Sequence, residues 1–187
     1  MKRGPLSPHF LIATMGILIS SADFVGKYAI STNNFTSEEL DAFISQNEKS
    51  LLVELLGCDL EALFEADLID GVPQSAEYLA IYNEFCYDES TCGIVQSFGM
   101  KDMLAGFIYF LYARDQAFPN TITGNKKTRS TNSDSPSAAS DVMILDEAQN
   151  RAIQSHQAIQ SYIRKNLSTY PSFNGIEKGY SFFGGSI

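Results

Sequence analysis

The stretch FTSEELDAFISQNEKSLLVELLG, residues 35–57, decides the fold class because it carries the successive signals of an amphipathic helix. Thr36 and Glu39 have the spacing of a capping box, in which each side chain binds the backbone N–H of the other residue. Gly57 stands where glycine commonly ends a helix. Between these points, apolar residues recur at intervals of three and four, which is typical of one buried helix face. They are Leu40, Phe43, Ile44, Leu51, Leu52, Leu55 and Leu56.

Three more helices are predicted, two in the first half of the chain and one long helix in the second half. Residues 59–69 and 75–85 have short helical patterns, and residues 141–167 form a long one that Asp141 can cap. Gln149 and His156 interrupt the apolar face of the long helix. Such breaks often lie at contacts that are wet or shared between subunits.

A further helix is predicted from the segment SFGMKDMLAGFIYFLYARDQAF, residues 97–118. Its centre is apolar on nearly all sides but too short to span a bilayer, which favours a helix buried in the core. A strand over residues 108–110 is the alternative. Gly106 inside this helix predicts the close approach of another helix.

The connection between the last two helices is long and polar, and it reads PNTITGNKKTRSTNSDSPSAASD over residues 119–141. Its composition buries too little apolar surface to fold alone. The threonines around Ile122 could supply short strand pieces, or a hairpin, if a partner offers a sheet edge. A second polar stretch, CYDESTCG at residues 86–93, is predicted to be a loop.

These elements predict a mainly α fold, a small helical bundle with one long inserted loop and extended arms at both ends. The helical domain covers residues 35–167 and contains the inserted loop 117–140, while residues 1–34 form an N-terminal arm. Residues 168–187 form an extended tail that we expect to dock its aromatic side chains on another surface. Those side chains are Tyr170, Phe173, Tyr180, Phe182 and Phe183.

Charge is distributed unevenly along the chain, whose net charge is −9. This balance disfavours binding of nucleic acid by phosphate neutralisation. Between Lys49 and Lys101 the sequence has ten carboxylates and no Lys or Arg, whereas the inserted loop is basic. The two regions are either solvated surfaces or complementary surfaces that meet between copies of the protein. For the second reading, the candidate contact residues are Glu61, Glu65 and Asp67 on one side and Lys126, Lys127 and Arg129 on the other.

The sequence contains no recognisable catalytic or cofactor-binding motif, so we expect a protein that is not an enzyme and has no cofactor. His9 and His156 are the two histidines, and His156 is interpreted as a structural or interface residue. Glu61 and Glu65 lie one helical turn apart and could share a cation. A metal-dependent enzyme using the acidic residues 54–89 is therefore an alternative, and solvated helix surface is the simpler interpretation of these residues.

The cysteines and the N-terminus bear on where the protein folds. Cys58, Cys86 and Cys92 match neither a disulfide framework nor a zinc site, and we expect reduced, mostly buried thiols. Residues 1–22 have the features of a signal peptide, which would make the protein a secreted or envelope-associated helical binding protein. Alternatively, Met15 is the native start and residues 1–14 are an extension.

Several stretches together resemble a known family. They are MGILISSADFVGKYAI (15–30), EKSLLVELLG (48–57), FIYFLYARDQ (107–116), ITGNKKTRSTNSDSPSAAS (122–140) and DEAQNRAIQSHQAIQSYI (146–163). In the order of its elements and in local sequence composition, the chain resembles the head–tail connector proteins of tailed bacteriophages of the crAss-like type. These are also called adaptor or neck ring proteins.

The resemblance implies a structural virion protein, made in the host cytoplasm, that forms a ring of commonly twelve copies beneath the portal. Its partners would be further copies of itself, the portal protein and other neck or tail proteins. Genomic DNA would pass through the ring without sequence-specific binding, and no membrane would be involved. An acidic channel lining would suit that passage, because like charge removes the gain from counterion release.

Overall fold

Five α-helices and two short β-hairpins make up the described part of the chain, in a computed structural model that describes residues 17–30, 36–89, 93–117 and 138–175. The helices are α1 (Ser37–Leu56), α2 (Cys58–Ala66), α3 (Ala76–Tyr82), α4 (Met100–Ala117) and α5 (Ala138–Lys165). The strands are β1 (Leu68–Ile69), β2 (Val72–Pro73), β3 (Phe85–Glu89) and β4 (Gly93–Ser97). Single 3₁₀ turns lie at Ser21–Asp23 and Gly26–Tyr28. The predicted mainly α fold is confirmed.

The capping box predicted for α1 is present. The Glu39 N–H donates to Thr36 Oγ1 at 3.3 Å, and the Thr36 N–H donates to Glu39 Oε2 at 2.9 Å. Gly57 ends the helix with a φ of 80°, a backbone conformation that favours glycine. A Cβ added at Gly57 would lie 1.8 Å from Asn174 Oδ1. Glycine is therefore required at this position both by its backbone conformation and by the chain segment that packs against it.

The centre of the core is the pair formed by α4 and α5, with α1 packed against both helices. Met103, Leu104 and Ile108 of α4 are fully buried, so this segment is a buried helix, as predicted. A Cβ added at Gly106 would lie 2.9 Å from the Ala148 carbonyl oxygen and 3.0 Å from Ala152 Cβ. The predicted close approach of a second helix at Gly106 is thus confirmed. None of the described helices is long and apolar enough to cross a membrane.

The described part of the N-terminal arm, residues 17–30, is packed into the same core. Leu18, Ile19, Phe24 and Tyr28 are all buried. The segment is held mainly by Glu48 of α1, a fully buried acid whose carboxylate accepts hydrogen bonds from three successive backbone N–H groups. The groups belong to Ile17, Leu18 (2.7 Å) and Ile19 (3.0 Å).

The hairpin formed by β3 and β4 corrects the prediction of a loop at residues 86–93. The strands pair antiparallel from Phe85 opposite Ser97 to Glu89 opposite Gly93. The rings of Phe85 and Tyr87 lie 5.2 Å and 6.3 Å from that of Tyr162 in α5. One side of the hairpin therefore packs on α5, and the residues that alternate with that side are exposed. They are Cys86, Asp88, Ile94 and Gln96.

Smaller corrections concern helix ends and cysteines. The helix predicted over residues 59–69 ends at Ala66, because the chain then turns into the hairpin formed by β1 and β2. The helix predicted over residues 75–85 ends at Tyr82, ahead of β3. Cys58 and Cys86 are exposed, so the expectation of buried thiols is wrong for these two residues. Cys92 lies outside the described residues.

Candidate interaction surfaces

The acidic elements gather around one end of the α4–α5 pair. Asn174, nine residues beyond the end of α5, donates to Asp59 Oδ2 at 3.2 Å. The hydroxyl of Tyr170 donates to the backbone carbonyl of Glu77 at 2.6 Å. At the hairpin formed by β3 and β4, Lys165 Nζ lies 2.5 Å from Glu89 Oε1. Residues 59–89 are therefore fixed beside the C-terminal end of α5. We call this region, residues 59–89 together with the end of α5, the acidic end.

The basic segment joins the body at the opposite end. Helices α4 and α5 run antiparallel, since the Phe98 N–H binds Ser155 Oγ at 3.0 Å and Asp102 binds Arg151 at 2.8 Å, with Gly106 next to Ala148 and Ala152. The end of α4 at residue 117 thus lies near the start of α5 at residue 138. The connection between them carries four of the predicted contact residues and lies outside the described residues. These are Ile122, Lys126, Lys127 and Arg129.

Glu61 and Glu65, the predicted carboxylate pair, both interact with Lys49 of α1. Lys49 Nζ lies 2.9 Å from Glu65 Oε2 and 3.7 Å from Glu61 Oε1. Burial raises the pKa of Glu61, and the charge of Lys49 opposes that shift. Among the residues that the structure describes, no group of three or more His, Cys, Asp or Glu side chains is arranged to hold a metal ion. The lysine therefore occupies the place between the carboxylates where the sequence allowed a cation.

Asp67 organises the chain at the acidic end. Its carboxylate accepts hydrogen bonds from the Ser75 hydroxyl at 2.5 Å and from the backbone N–H groups of Ser75 and Gln74, each at 2.8 Å. These bonds, that of the Ser75 hydroxyl foremost, lower the pKa of Asp67. Because Ser75 directly precedes α3, Asp67 connects the end of α2 to the start of α3.

The remaining predicted contact residues occupy different environments. His156 is 2% exposed, and its ring meets that of Phe107 edge-on at 6.2 Å. Tyr170 is 1% exposed, whereas Phe173 is partly buried, with the Arg164 guanidinium 5.9 Å from its ring. Glu61, which is 4% exposed, His156 and Tyr170 are therefore buried within the chain, and Glu65, Asp67 and Phe173 keep exposed surface. Tyr180, Phe182 and Phe183 lie outside the described residues.

A charged junction around Asp102 was not predicted from the sequence. Its carboxylate accepts from Lys27 Nζ at 2.5 Å, Tyr28 Oη at 3.2 Å and Arg151 Nε at 2.8 Å. The Arg151 guanidinium also lies 3.3 Å from the ring centre of Phe98. Burial, together with the adjacent Asp102 charge, raises the pKa of Tyr28. The junction joins the N-terminal segment, α4 and α5, and its residues were too far apart in sequence to be recognised as a group.

A groove of about 250 Å³ runs between β4 and α5 at the acidic end. Its strand wall is formed by three consecutive residues of β4 together with Glu89 of β3, and its helix wall by residues at helical spacing in α5. The β4 residues are Ile94, Val95 and Gln96, and the α5 residues are Gln154, Gln157, Ala158 and Ser161. Ile94 is 77% exposed, the largest exposed fraction of any large hydrophobic residue among the described residues. This groove was not predicted from the sequence, because residues 86–93 were expected to form a loop and not a strand wall.

Comparison of the chain with protein-family models, curated proteins and solved structures found no match.

Proposed function

We propose that the chain is a structural virion protein that forms a ring in the head–tail connector of a tailed phage. In this role it lies below the portal, extends the DNA channel and joins the capsid to the tail. The resemblance in sequence layout supports the phage context. The observation that carries the proposal is the separation of charge between the two ends of the α4–α5 pair.

A ring of identical subunits needs two different, complementary surfaces on each subunit, because each copy contacts its neighbours head to tail. Residues 59–89 supply nine carboxylates and no Lys or Arg at the acidic end. The segment 118–137 joins the body at the other end and carries three basic residues against Asp134 alone. Contact between the acidic end of one copy and the basic segment of the next would repeat around a ring.

Electrostatic contact of this kind is directional and sensitive to salt. At an ionic strength of 0.15 M, exposed charges are screened over about 8 Å, and at 1 M over about 3 Å. We therefore expect assembly to weaken as salt increases. Carboxylates that face the channel would repel the DNA backbone, which allows genomic DNA to move through without being held.

The test is the oligomeric state of the full chain, measured by mass photometry and by size-exclusion chromatography with light scattering at low and high salt. We expect a closed oligomer at low salt that dissociates as salt increases. Lys126→Glu/Lys127→Glu should reduce assembly, whereas the matched control Lys2→Glu/Arg3→Glu should assemble normally. A chain that stays monomeric at low salt and binds neither portal nor neck proteins would refute the proposal.

A further inference from the structure

The outer edge of β4 has the features of a site for an additional strand. Among the described residues, β4 pairs with β3 alone. In an antiparallel strand, alternate residues direct their N–H and C=O groups away from the existing partner. The edge of β4 is therefore a template for an extended segment from another chain.

The groove beside this edge has the chemistry to hold a polar strand. Gln154 and Gln157 follow the edge one helical turn apart, and their amides can donate to and accept from a neighbouring backbone. Ile94, which lines the groove, leaves a large apolar surface uncovered there. A strand placed in the groove would bring one face over α5 and the other beside Ile94.

We propose that this groove receives residues 121–123 of a second copy of the chain, which pair with β4 as a third strand. The inference rests on the proposed self-assembly and identifies its contact. The sequence Thr121-Ile122-Thr123 consists entirely of β-branched residues, which favour extended structure in sheets. Ile122 then lies beside Ile94 and covers it.

The length of the connection requires a second copy. Gln154–Ala158 lies 16–20 residues along α5 from its start, which corresponds to about 24–30 Å at 1.5 Å per residue. Thr121 is only four residues from the end of α4, and four extended residues span at most about 14 Å. The strand-forming residues of the same chain therefore cannot reach its own groove, whereas those of a neighbouring copy can.

Charge is consistent with the same occupant. Lys126, Lys127 and Arg129 follow Ile122 within seven residues. Glu89 lines the groove, and Asp88 directly precedes it in β3. A strand paired with β4 would carry its basic continuation past these carboxylates. The inferred contact thus joins the acidic end of one copy to the basic segment of the next, the two regions whose charges are complementary.

Cysteine cross-linking in the full chain tests the contact residue by residue. In a Cys58→Ser/Cys86→Ser/Cys92→Ser background, one tagged copy carries Ile94→Cys. A second, differently tagged copy carries a cysteine at position 121, 122 or 123. Cβ atoms of directly opposite cross-strand residues lie about 4.5–5.5 Å apart, near the disulfide range, and successive residues point to opposite faces.

We expect a disulfide-linked heterodimer from the Ile122→Cys copy and far less product from the Thr121→Cys and Thr123→Cys copies. Gln46→Cys on the exposed surface of α1 is the matched control for Ile94→Cys, and we expect it to give no product. Equal cross-linking at all three positions, or none above the Gln46→Cys control, would overturn the inference.

A charge change in the groove gives an independent readout. Gln157→Lys places a cation beside the basic segment, and we expect the Kd of self-association to rise about tenfold, which corresponds to ~1.4 kcal/mol. Gln46→Lys should leave that Kd unchanged, and equal Kd values for the two variants would contradict the inference. If the chain assembles without the cross-link, the inference fails and the proposed function stands. If the chain is monomeric, the inference fails, and if it also binds neither portal nor neck proteins, the proposed function fails with it.

Discussion

Glu48 is the residue whose role differs most from what the sequence indicated. It follows Leu40 and Ile44 at helical spacing on the buried face of α1, where an acid interrupts an otherwise apolar stripe. This break was a signal that the sequence analysis did not use. A buried carboxylate must be compensated by hydrogen bonds, and its partners are the backbone N–H groups of Ile17, Leu18 and Ile19, which no side-chain pattern could reveal.

The first prediction concerns the pH dependence that Glu48 confers. Burial raises its pKa above the ordinary value of 4.5, against the opposing effect of the three N–H groups and of Lys101. Between that value and the higher folded pKa, the folded state holds more protons than the unfolded state. The contribution of Glu48 to stability therefore falls as pH rises through this window.

Glu48→Gln should lower the free energy of unfolding by about 1–3 kcal/mol, because the amide nitrogen faces a backbone donor. The difference between wild type and variant should narrow as pH rises above 4.5, measured by urea unfolding at a series of pH values. Glu38→Gln, on the exposed side of the same helix, is the control. A difference that widens with pH would show that the carboxylate is stabilising when charged.

Tyr170 carries the second prediction. Its ring is buried, and its hydroxyl donates to the Glu77 carbonyl at 2.6 Å. Tyr170→Phe keeps the ring and removes this bond, so the free energy of unfolding should fall by about 1 kcal/mol. Chemical denaturation measures the change. An unchanged stability would mean that water replaces the hydroxyl at the Glu77 carbonyl.

An element could be predicted from the sequence where the residues that define it lie close together in the chain. The prediction failed where an element packs against residues that are distant in the chain. Thr36, Glu39 and Gly57 act within one helix, so the ends of α1 could be predicted from residues four apart or fewer. In β3, the inward residues Phe85 and Tyr87 alternate with the exposed Cys86 and Asp88, which is a strand signal. Short polar stretches resemble loops, and only Tyr162, more than 60 residues later, shows where these side chains pack.

At the contact between α4 and α5, we predict that Gly106→Ala destabilises the protein although alanine favours helix. The added methyl would overlap the Ala148 carbonyl and the Ala152 methyl. Overpacking of this kind costs about 1–3 kcal/mol, more than the gain of about 1 kcal/mol in helix propensity. A lower midpoint of thermal unfolding in the Gly106→Ala variant would show that the substitution is destabilising. The double variant Gly106→Ala/Ala152→Gly should recover part of the loss, and failure to recover any would place the overlap mainly at the Ala148 carbonyl.

For the whole molecule, the connection between α4 and α5 should contribute to assembly more than to stability. Deletion of residues 121–135 shortens a closed loop, and the free energy of loop closure changes by only about 0.6 kcal/mol per doubling of length. Five of the 20 connecting residues remain, which corresponds to two halvings, so we expect the free energy of unfolding to change by only about 1.2 kcal/mol, while the oligomer seen by mass photometry is lost. A deletion variant that unfolds would show that this connection is part of the core.

The bonds from Tyr170 to Glu77 and from Asn174 to Asp59 join residues 93 and 115 positions apart. Contacts of such separation form late, because the intervening chain must first be ordered. During synthesis, the acidic end can close only after Tyr170 and Asn174 have left the ribosome. A truncated chain that ends before Tyr170 would leave this end open. The synthesis of this segment would then act as a checkpoint that keeps shorter chains out of an oligomer.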